Sequence, residues 1–295
     1  MKNVQLLTPA DWKDYALLDS GDGEKLEQFG EYRLSRPDPQ ILWKKSLSEV
    51  EWRKSTARFV RSIEDKGNWQ TYERMREEWP VRWRDITLMA RLSPFKHTGI
   101  FPEQSAHWQW FGDLITQACA TPQSTPPNVL NLFAYTGGAS VVAAKRGAKI
   151  THVDASRSSI SWAKKNQLAS GLDDRSIRWI LDDVVTFVQR EVKRGVKYDG
   201  IILDPPVYGH GPNGERWEFK SSLPELLRLC QEILSEKPLF VLINAYAVST
   251  SAVTLENLLA DMMMDKGGSL SSGELALEQQ SGRMLSTGIW ARWQR

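Results

Sequence analysis

The stretch whose residue types most clearly suggest a chemical role is LDPPVYGHG, at residues 203–211. It directly follows a largely apolar run. Proline cannot donate to a sheet ladder, and a carboxylate beside a buried strand needs a partner. Asp204, Pro205 and Pro206 are therefore costly at the end of a strand, and their presence there indicates binding or catalysis. In an open parallel sheet, ligands bind outside the carboxyl ends of the strands, so the other strand ends are where partners for these residues are expected.

The segment NLFAYTGGAS places Gly137 and Gly138 between a predicted strand and a predicted helix. Glycine lets the backbone pass close to a ligand, and the start of a helix offers free N–H groups. Because two glycines are also common in strand–helix turns that bind nothing, a plain tight turn stays open as the alternative.

An acidic residue ends the next predicted strand. Asp154 lies sixteen residues beyond Gly138, near the ~20 expected for an acid that accepts both hydroxyls of a ribose. The alternative is that Asp154 is the N-cap of the following helix, a role that Ser156 or Ser158 could fill instead.

The third predicted strand ends in two acids, Asp182 and Asp183. One of them could accept a hydrogen bond from an adenine amino group, or both could be solvated turn residues. Together with Asp154 and Asp204, acids occupy the ends of three successive strands beside the glycine turn, which chance does not readily explain.

The spacing of these residues excludes two common nucleotide sites. A nicotinamide-binding turn reads G-x-G-x-x-G, whereas this turn reads T-G-G-A-S-V and has no third glycine. A P-loop is excluded because no G-K-[ST] follows a strand. Only Cys119 and Cys230 occur, which gives neither a disulfide framework nor zinc spacing, so no metal site is expected.

An alternation of strands and helices must position these residues. After the connector TPQSTPPN at residues 121–128, strand-like and helix-like segments alternate, and the tail segments GELALEQQ and STGIWARWQR suggest a final hairpin-like pair. Continuous apolar strands separated by helices predict an α/β fold with a parallel sheet covered on both faces.

The preceding part of the chain has a different character. Residues 1–95 are predicted to form a small, strand-rich N-terminal accessory domain, and residues 96–295 the α/β domain. Strands are expected within residues 29–45 and 81–93, around a charged segment at residues 48–64 that we interpret as helical.

Charge is distributed unevenly along the sequence. Residues 33–96 carry fifteen basic and nine acidic side chains together with five tryptophans, namely Trp43, Trp52, Trp69, Trp79 and Trp83. Basic residues interleaved with aromatic ones suit a nucleic-acid surface, because cations neutralise phosphate and rings stack on bases. A solvated charged face over tryptophans in a small core is the alternative, and composition does not separate the two.

The expected location is the cytoplasm. The sequence shows no secretory leader and no run of the ~20 apolar residues that cross a bilayer, so no membrane partner is expected. Two cysteines without a disulfide pattern fit a reducing compartment.

The motifs NLFAYTGGAS, VDAS, LDDV and LDPPVY, in this order and spacing, resemble those of class I S-adenosylmethionine-dependent methyltransferases. Upstream, FKHTGIFPEQ at residues 95–104 resembles the K-T-G-[FY]-[FY]-x-D-Q signature of the bacterial 23S rRNA large-subunit methyltransferase I/K group, which shares the YTGG turn and a D-P-P-x-[FY] motif. The resemblance covers residues 90–295. Family members carry an RNA-binding PUA domain before this region, and residues 1–90 do not align with it.

The resemblance implies a Rossmann-like sheet, mostly parallel with an antiparallel last strand, and S-adenosylmethionine as the cofactor. It also implies that the glycine turn borders the methionine moiety and that Asp154 binds the ribose. Asp183 would contact the adenine, with Asp182 beside it. Asp204 and the two proline carbonyls would face the reactive methyl group. The cofactor-binding residues implied in this way are Phe101, Tyr135, Thr136, Gly137, Gly138, Asp154, Ala155, Asp182, Asp183 and Asp204. The implied catalytic residues are Asp204, Pro205, Pro206 and Tyr208.

One departure from the family concerns the acceptor atom. Cytosine C5 methylation needs a cysteine nucleophile, typically after the fifth strand, where this chain reads INAYAVS with Asn244 and Tyr246. Cys119 and Cys230 fall inside predicted helices, where inert thiols are expected. A nitrogen acceptor needs mainly an in-line approach of its lone pair to the sulfonium methyl, so we favour nitrogen over carbon.

The residues after the two prolines suggest further roles. In exocyclic amino methyltransferases a [DN]-P-P-[YFW] motif accepts the hydrogens of the amine and stacks the flipped base. Here Val207 fills the aromatic position, and Tyr208 could stack on the target or be a structural tyrosine at the rim of the sheet. The glycine-rich segment that follows could form a mobile substrate loop with His210 as a candidate general base, and Lys96 and Arg283 could contact phosphate.

The sequence therefore predicts an S-adenosylmethionine-dependent methyltransferase that acts on a nucleobase of RNA, ribosomal RNA in particular. The alternatives are a small-molecule or protein methyltransferase, since the charge excess of residues 33–96 is modest, and a catalytically silent RNA-binding module of the same fold.

Overall fold

The computed structural model describes residues 4–61, 67–121, 125–175 and 177–295. The chain divides into two compact units. The first holds the described residues of Met1–Leu7, Ala106–Leu275 and Thr287–Arg295, and the second those of Thr8–Ser105 and Ala276–Ser286. Each unit therefore draws on separate stretches of sequence, and the accessory and methyltransferase domains assigned to residues 1–95 and 96–295 stay a prediction.

The strands and helices are numbered in chain order. The strands are β1 (Gln5–Leu7), β2 (Tyr15–Gly21), β3 (Glu24–Phe29), β4 (Tyr32–Pro37), β5 (Ala57–Arg61), β6 (Gly67–Thr71), β7 (Trp79–Trp83), β8 (Ile86–Ala90), β9 (Asn128–Leu132), β10 (Lys149–Asp154), β11 (Ile177–Leu181), β12 (Gly200–Leu203), β13 (Tyr208–His210), β14 (Arg216–Glu218), β15 (Phe240–Ala245), β16 (Ser269–Glu278) and β17 (Met284–Gln294). The helices are α1 (Glu49–Trp52), α2 (Ser105–Ala118), α3 (Gly138–Lys145), α4 (Arg157–Ala169), α5 (Val184–Arg194), α6 (Phe219–Ile233) and α7 (Ala252–Met263).

An eight-stranded sheet forms the centre of the first unit, in the order β1-β16-β17-β15-β12-β9-β10-β11. The strands from β15 to β11 are parallel to their neighbours, and β17 pairs antiparallel with β15. The order along the chain reverses between β9 and β12, which makes this the switch point where ligands bind in such folds. The predicted Rossmann-like sheet, mostly parallel with an antiparallel last strand, is confirmed.

Helices cover both faces of this sheet, so its central strands are buried along their whole length. On one face, strand residues such as Ile201 and Ile243 pack with residues of α5, α6 and α7 in one apolar core. On the other face, Phe240 stacks on Phe111 of α2, with ring centroids 5.8 Å apart. None of the helices in the described ranges is long and apolar enough to span a membrane.

The second unit is rich in strands, as predicted. A five-stranded sheet has the order β2-β3-β4-β5-β6, and β7 and β8 form a separate antiparallel pair. Residues 276–286, which comprise the end of β16, the start of β17 and the turn between them, belong to this unit. There, Leu277 and Leu285 form a small core with Leu17 and Ile41.

The prediction of a helix at residues 48–64 is wrong for most of this segment. Only Glu49–Trp52 is helical, and Ala57–Arg61 is a strand that pairs with β4 and β6; residues 62–64 lie outside the described residues. Ala57 and Phe59 are buried while the residue between them is exposed, which is the period of a strand. The helical interpretation failed because pairing with neighbouring strands outweighed the charge pattern.

Three of the five tryptophans of the basic region are core residues. Trp52, Trp79 and Trp83 are buried. Trp43 and Trp69 are half-buried, and their indole N–H groups donate to backbone carbonyls. The small-core interpretation is therefore correct for Trp52, Trp79 and Trp83, and stacking by Trp43 and Trp69 stays a prediction.

Candidate active site

The turn between β9 and α3 has an irregular backbone. Phe133, Tyr135 and Gly137 have positive φ angles of 55°, 47° and 77°. Residues with side chains rarely adopt such angles, so the turn must be held by its contacts. The Ala134 N–H donates to the Val153 carbonyl at 3.1 Å, which fixes the turn against β10.

Gly137 and Gly138 are both needed for packing. A Cβ atom on Gly137 would lie 2.8 Å from Ala163 Cβ, and one on Gly138 would lie 2.8 Å from the ring of Trp108. Glycine therefore lets the start of α3 approach α4 and α2, a reason that the sequence did not reveal. Gly137 is also an N-cap without a side-chain acceptor, so the first-turn N–H groups of α3 can serve a ligand.

Asp154 joins the ends of two neighbouring strands. Its Oδ2 accepts the N–H of Tyr135 at 2.7 Å, and its Oδ1 accepts the N–H of Ser156 at 2.8 Å. Burial raises the pKa of this carboxyl, and the two hydrogen bonds oppose the shift without cancelling it. Each carboxylate oxygen has a further lone pair, so the group can still accept two hydroxyls.

Helix α4 is capped by Ser156, whose hydroxyl accepts the N–H of Ser159 at 3.2 Å. Asp154 is therefore not the N-cap of this helix, and its contact with the ribose stays a prediction. Ala155, between the two, is half-buried. The same turn region is supported from behind by Asn166, whose side-chain amide donates to the Thr136 carbonyl at 2.8 Å.

Asp182 and Asp183 both make local contacts. Asp182 forms an ion pair with Arg190, and its Oδ1 accepts the Asp183 N–H at 3.0 Å. Asp183 is the N-cap of α5, and its Oδ1 accepts the Thr186 N–H at 2.8 Å. The adenine contact of Asp183 stays a prediction, and it would use the second carboxylate oxygen.

The Asp204 segment leaves the sheet at the switch point. Leu203 lies opposite Ile243, so Asp204 follows β12 beside the end of β15. The Pro206 carbonyl accepts the indole N–H of Trp217 at 2.7 Å. Within the part of the chain that the structure describes, no donor is hydrogen-bonded to the Pro205 carbonyl. The two carbonyls that were predicted to face the methyl group therefore differ in their availability.

The residues after the prolines form a hairpin. Strands β13 and β14 pair antiparallel with Gly209 opposite Trp217, and the Gly211 N–H donates to the Glu215 carbonyl at 2.9 Å. Asn-Gly at residues 213–214 is a strong hairpin signal that was available in the sequence. Tyr208 is 70% exposed on the first strand, where its predicted stacking on a target stays untested.

Other predicted residues belong to the second unit, and their roles stay predictions. The ring of Phe101 lies 5.4 Å from that of His97. Burial lowers the pKa of Lys96. The Arg283 guanidinium lies 5.6 Å from the centroid of the Trp43 ring. No group of His, Cys, Asp or Glu side chains that could hold a metal ion occurs in the described ranges.

The strand order and the acids at the strand ends define the class: a Rossmann-like α/β fold with a site for a nucleotide-like ligand at its switch point. The family follows from comparison with known proteins. A family model described as S-adenosylmethionine-dependent methyltransferase matches residues 62–260. The chain belongs to this family, as the motifs predicted.

Similar proteins agree with this assignment. The crystal structure of a SAM-dependent methyltransferase from Agrobacterium tumefaciens has a TM-score of 0.93 and 40% sequence identity, and the match covers 98% of this chain and 93% of that one. The ribosomal RNA large subunit methyltransferase K/L of Syntrophotalea carbinolica is 28% identical over 193 residues, which are 65% of this chain and 25% of that protein. The ribosomal RNA large subunit methyltransferase I of Aeromonas salmonicida is 36% identical over 104 residues, 35% of this chain and 24% of that protein. The chain thus spans about a quarter of the length of these two curated relatives.

The residues at the strand ends fit the cofactor of this family. Asp154 offers lone pairs that suit the two hydroxyls of a ribose. The uncapped start of α3 offers N–H groups that suit a carboxylate such as that of a methionine moiety. The donor and acceptor set of the site therefore matches S-adenosylmethionine.

Proposed function

We propose that this chain transfers the methyl group of S-adenosylmethionine to a nitrogen atom of a nucleobase in ribosomal RNA. The observation that carries the proposal is the position of Asp204, Pro205 and Pro206 at the switch point, two strands away from Asp154 in the sheet order β12-β9-β10. An acceptor held at the end of β12 would face a cofactor bound across the ends of β9 and β10.

The cofactor would be held by residues of three strand ends. Asp154 would bind the ribose, the turn that contains Tyr135 and Gly137 would border the methionine moiety, and Asp183 would receive the adenine amino group. When bound, S-adenosylmethionine supplies an electrophilic methyl group on a sulfonium.

The Asp204 segment would orient the acceptor. The carboxylate of Asp204 and the carbonyl of Pro205 would accept the two hydrogens of an exocyclic amine, which directs the nitrogen lone pair towards the methyl group. Asp204 would then receive the proton that the nitrogen loses. We favour the Pro205 carbonyl over that of Pro206 because Trp217 already donates to the latter.

The positions of the two thiols support nitrogen over cytosine C5. Cys230 is fully buried in the core beside α5 and α7, and burial raises the pKa of its thiol. Cys119 follows the end of α2 and lies near Gly147. Gly147 precedes the amino-terminal end of β10, whereas the proposed site lies at the carboxyl ends of the strands. Neither is a nucleophile at a strand end, as C5 methylation requires.

The names of the two curated relatives and the exposed cations of the second unit support RNA as the substrate. Lys44, Arg58, Arg76 and Arg82 have largely exposed side chains, although each is paired with an acid. The role of this unit as an accessory RNA-binding domain, and a cytoplasmic location, are part of the proposal.

The test is mass spectrometry of nucleosides from the ribosomal RNA of a deletion strain. One methylated nucleoside should be lost, and purified protein with S-adenosylmethionine should restore it to the unmodified RNA. Asp204→Ala should abolish this restoration, whereas Cys230→Ser should retain it. An unchanged nucleoside profile would remove ribosomal RNA as the substrate, and a lost nucleoside that is methylated on carbon would overturn the nitrogen acceptor.

A further inference from the structure

The hairpin of β13 and β14 is attached to the site by one buried side chain. Trp217 is 5% exposed, and its indole N–H donates to the Pro206 carbonyl at 2.7 Å. Its ring packs against Phe133, with centroids 4.7 Å apart. Pro206 follows β12 and Phe133 follows β9, so Trp217 connects the two strand ends on either side of the switch point.

Two of the three residues in the segment that Trp217 contacts lack a backbone donor. Proline has no N–H, so Pro205 and Pro206 cannot donate to a neighbouring strand. The Asp204 N–H donates to the Leu132 carbonyl over a long distance of 3.4 Å. The 2.7 Å bond from Trp217 is therefore a close restraint on a segment whose prolines cannot join a sheet ladder.

The hairpin itself is firmly closed. The Phe219 N–H donates to the Val207 carbonyl at 2.9 Å, where α6 begins. At the other end, a Cβ atom on Gly211 would lie 2.9 Å from Asp183 Cβ, so the tip of the hairpin lies against the end of β11. The hairpin is thus held at both ends and provides a fixed base for Trp217.

We propose that Trp217 is a positioning residue for methyl transfer, which sets the direction of the Pro205 and Pro206 carbonyls and hence of the acceptor. The inference rests on the proposed function, in which these prolines face the acceptor. Trp217 acts through these carbonyls and itself touches neither cofactor nor acceptor. Because a displacement of about 1 Å at a reacting group can reduce a rate about a hundredfold, the loss of one restraint at this position has a large effect on turnover.

The experiment compares Trp217→Phe with Trp293→Phe. Trp293 is a similarly buried tryptophan of the same unit, and its indole N–H donates to the Gly267 carbonyl at 2.6 Å. It lies opposite Val241 near the start of β15, at the far edge of the sheet from the site. Both variants lose one indole–carbonyl hydrogen bond and keep an aromatic ring. They differ chiefly in which carbonyl loses its donor, that of Pro206 or that of Gly267.

The measurements are turnover on unmodified ribosomal RNA from the deletion strain, calorimetric affinity for S-adenosylmethionine, and thermal unfolding. Trp217→Phe should lower kcat about tenfold or more with cofactor affinity within about twofold of wild type. Trp293→Phe should leave kcat near wild type. An unchanged kcat in Trp217→Phe, or a loss of cofactor affinity that matches the loss of kcat, would overturn the positioning role.

Hydrogen exchange separates this inference from the proposed function. If wild-type protein does not methylate ribosomal RNA, the proposed substrate is wrong. The exchange rates still test whether Trp217 restrains the segment that contains Pro206. The Phe219 amide should exchange faster in Trp217→Phe than in wild type and Trp293→Phe, because its acceptor Val207 follows the released proline. Equal protection in all three proteins would show that Trp217 does not restrain this segment.

Discussion

The Tyr135 N–H donates to Asp154 Oδ2 at 2.7 Å, and this bond links the strained turn after β9 to the end of β10. Tyr135 has a φ of 47°, a conformation that needs support from its surroundings. The acid that we assign to the ribose therefore also holds the turn that we assign to the methionine moiety. A change at Asp154 should affect both parts of the proposed cofactor site.

Asp154→Asn should weaken the binding of S-adenosylmethionine about 10- to 100-fold, on the order of 1.4–3 kcal/mol. The amide has one acceptor oxygen, so its NH2 group must face the N–H of either Tyr135 or Ser156. The variant thus loses a bond to the ribose and one to the turn. Isothermal titration calorimetry with the wild type and the variant measures the difference.

Asp113→Asn is a matched control for this change, because Asp113 is exposed on α2. It should bind the cofactor like the wild type. If Asp154→Asn also bound like the wild type, the ribose would not lie at Asp154.

Affinity for the cofactor should decrease on acidification. Burial raises the pKa of Asp154 above its ordinary value of 3.8, and only the ionised carboxylate accepts both N–H groups and both hydroxyls. The loss should therefore begin at a higher pH than an exposed aspartate would give. Calorimetry of the wild type and Asp154→Asn at a series of pH values tests this, since the variant should lack this part of the pH dependence. Parallel curves for the two proteins would assign the effect to another group.

The positions of the acids at the strand ends could be predicted because strands and helices alternate along this part of the chain, and the carboxyl ends of parallel strands meet at one edge of a sheet. The detailed contacts could not. Ser156 and Asp183 are both residue types that cap helices, and sequence did not decide which of the neighbouring residues does so. The close packing of the two glycines against Ala163 and Trp108 could not be predicted either, and their approach to a ligand stays a prediction.

The second unit was harder to predict because its contacts are long-range. Gln279, in the turn between β16 and β17, donates to Asp19 at 2.8 Å across most of the sequence. The strand Ala57–Arg61 carries a charge pattern that also fits a helix, and only its pairing with β4 and β6 decides the outcome. The same tryptophan content fits a core or a surface, so composition left this choice open.

Asp19→Ala should destabilise the second unit by about 2–4 kcal/mol, because the buried side chains of Trp52 and Gln279 and two loop N–H groups would lose their acceptor. The buried carboxylate accepts the N–H groups of Ser46 and Leu47, the indole N–H of Trp52 and the side-chain amide of Gln279. Urea unfolding followed by tryptophan fluorescence measures the change.

Asp22→Asn provides the comparison for Asp19→Ala, because asparagine tolerates the left-handed backbone at this position, where φ is 51°. Asp22 pairs with the exposed Lys44 at 2.8 Å, and exposed ion pairs contribute little to stability. Its unfolding midpoint should stay near that of the wild type. Similar midpoints for the two variants would mean that the Asp19 contacts do not stabilise the unit.

His107 and His152 should make the folded protein sensitive to acid. Both are buried, and burial lowers the pKa of each imidazole from 6.5 to about 3. Between these values the unfolded chain binds more protons than the folded one, so the free energy of unfolding falls as the pH drops from 6.5 towards 3. His152→Asn should reduce the slope of unfolding free energy against pH, whatever its effect on stability at neutral pH, because an amide does not titrate. Urea titrations across this pH range measure the slope for the wild type and for the variant, and an unchanged slope in His152→Asn would contradict the prediction.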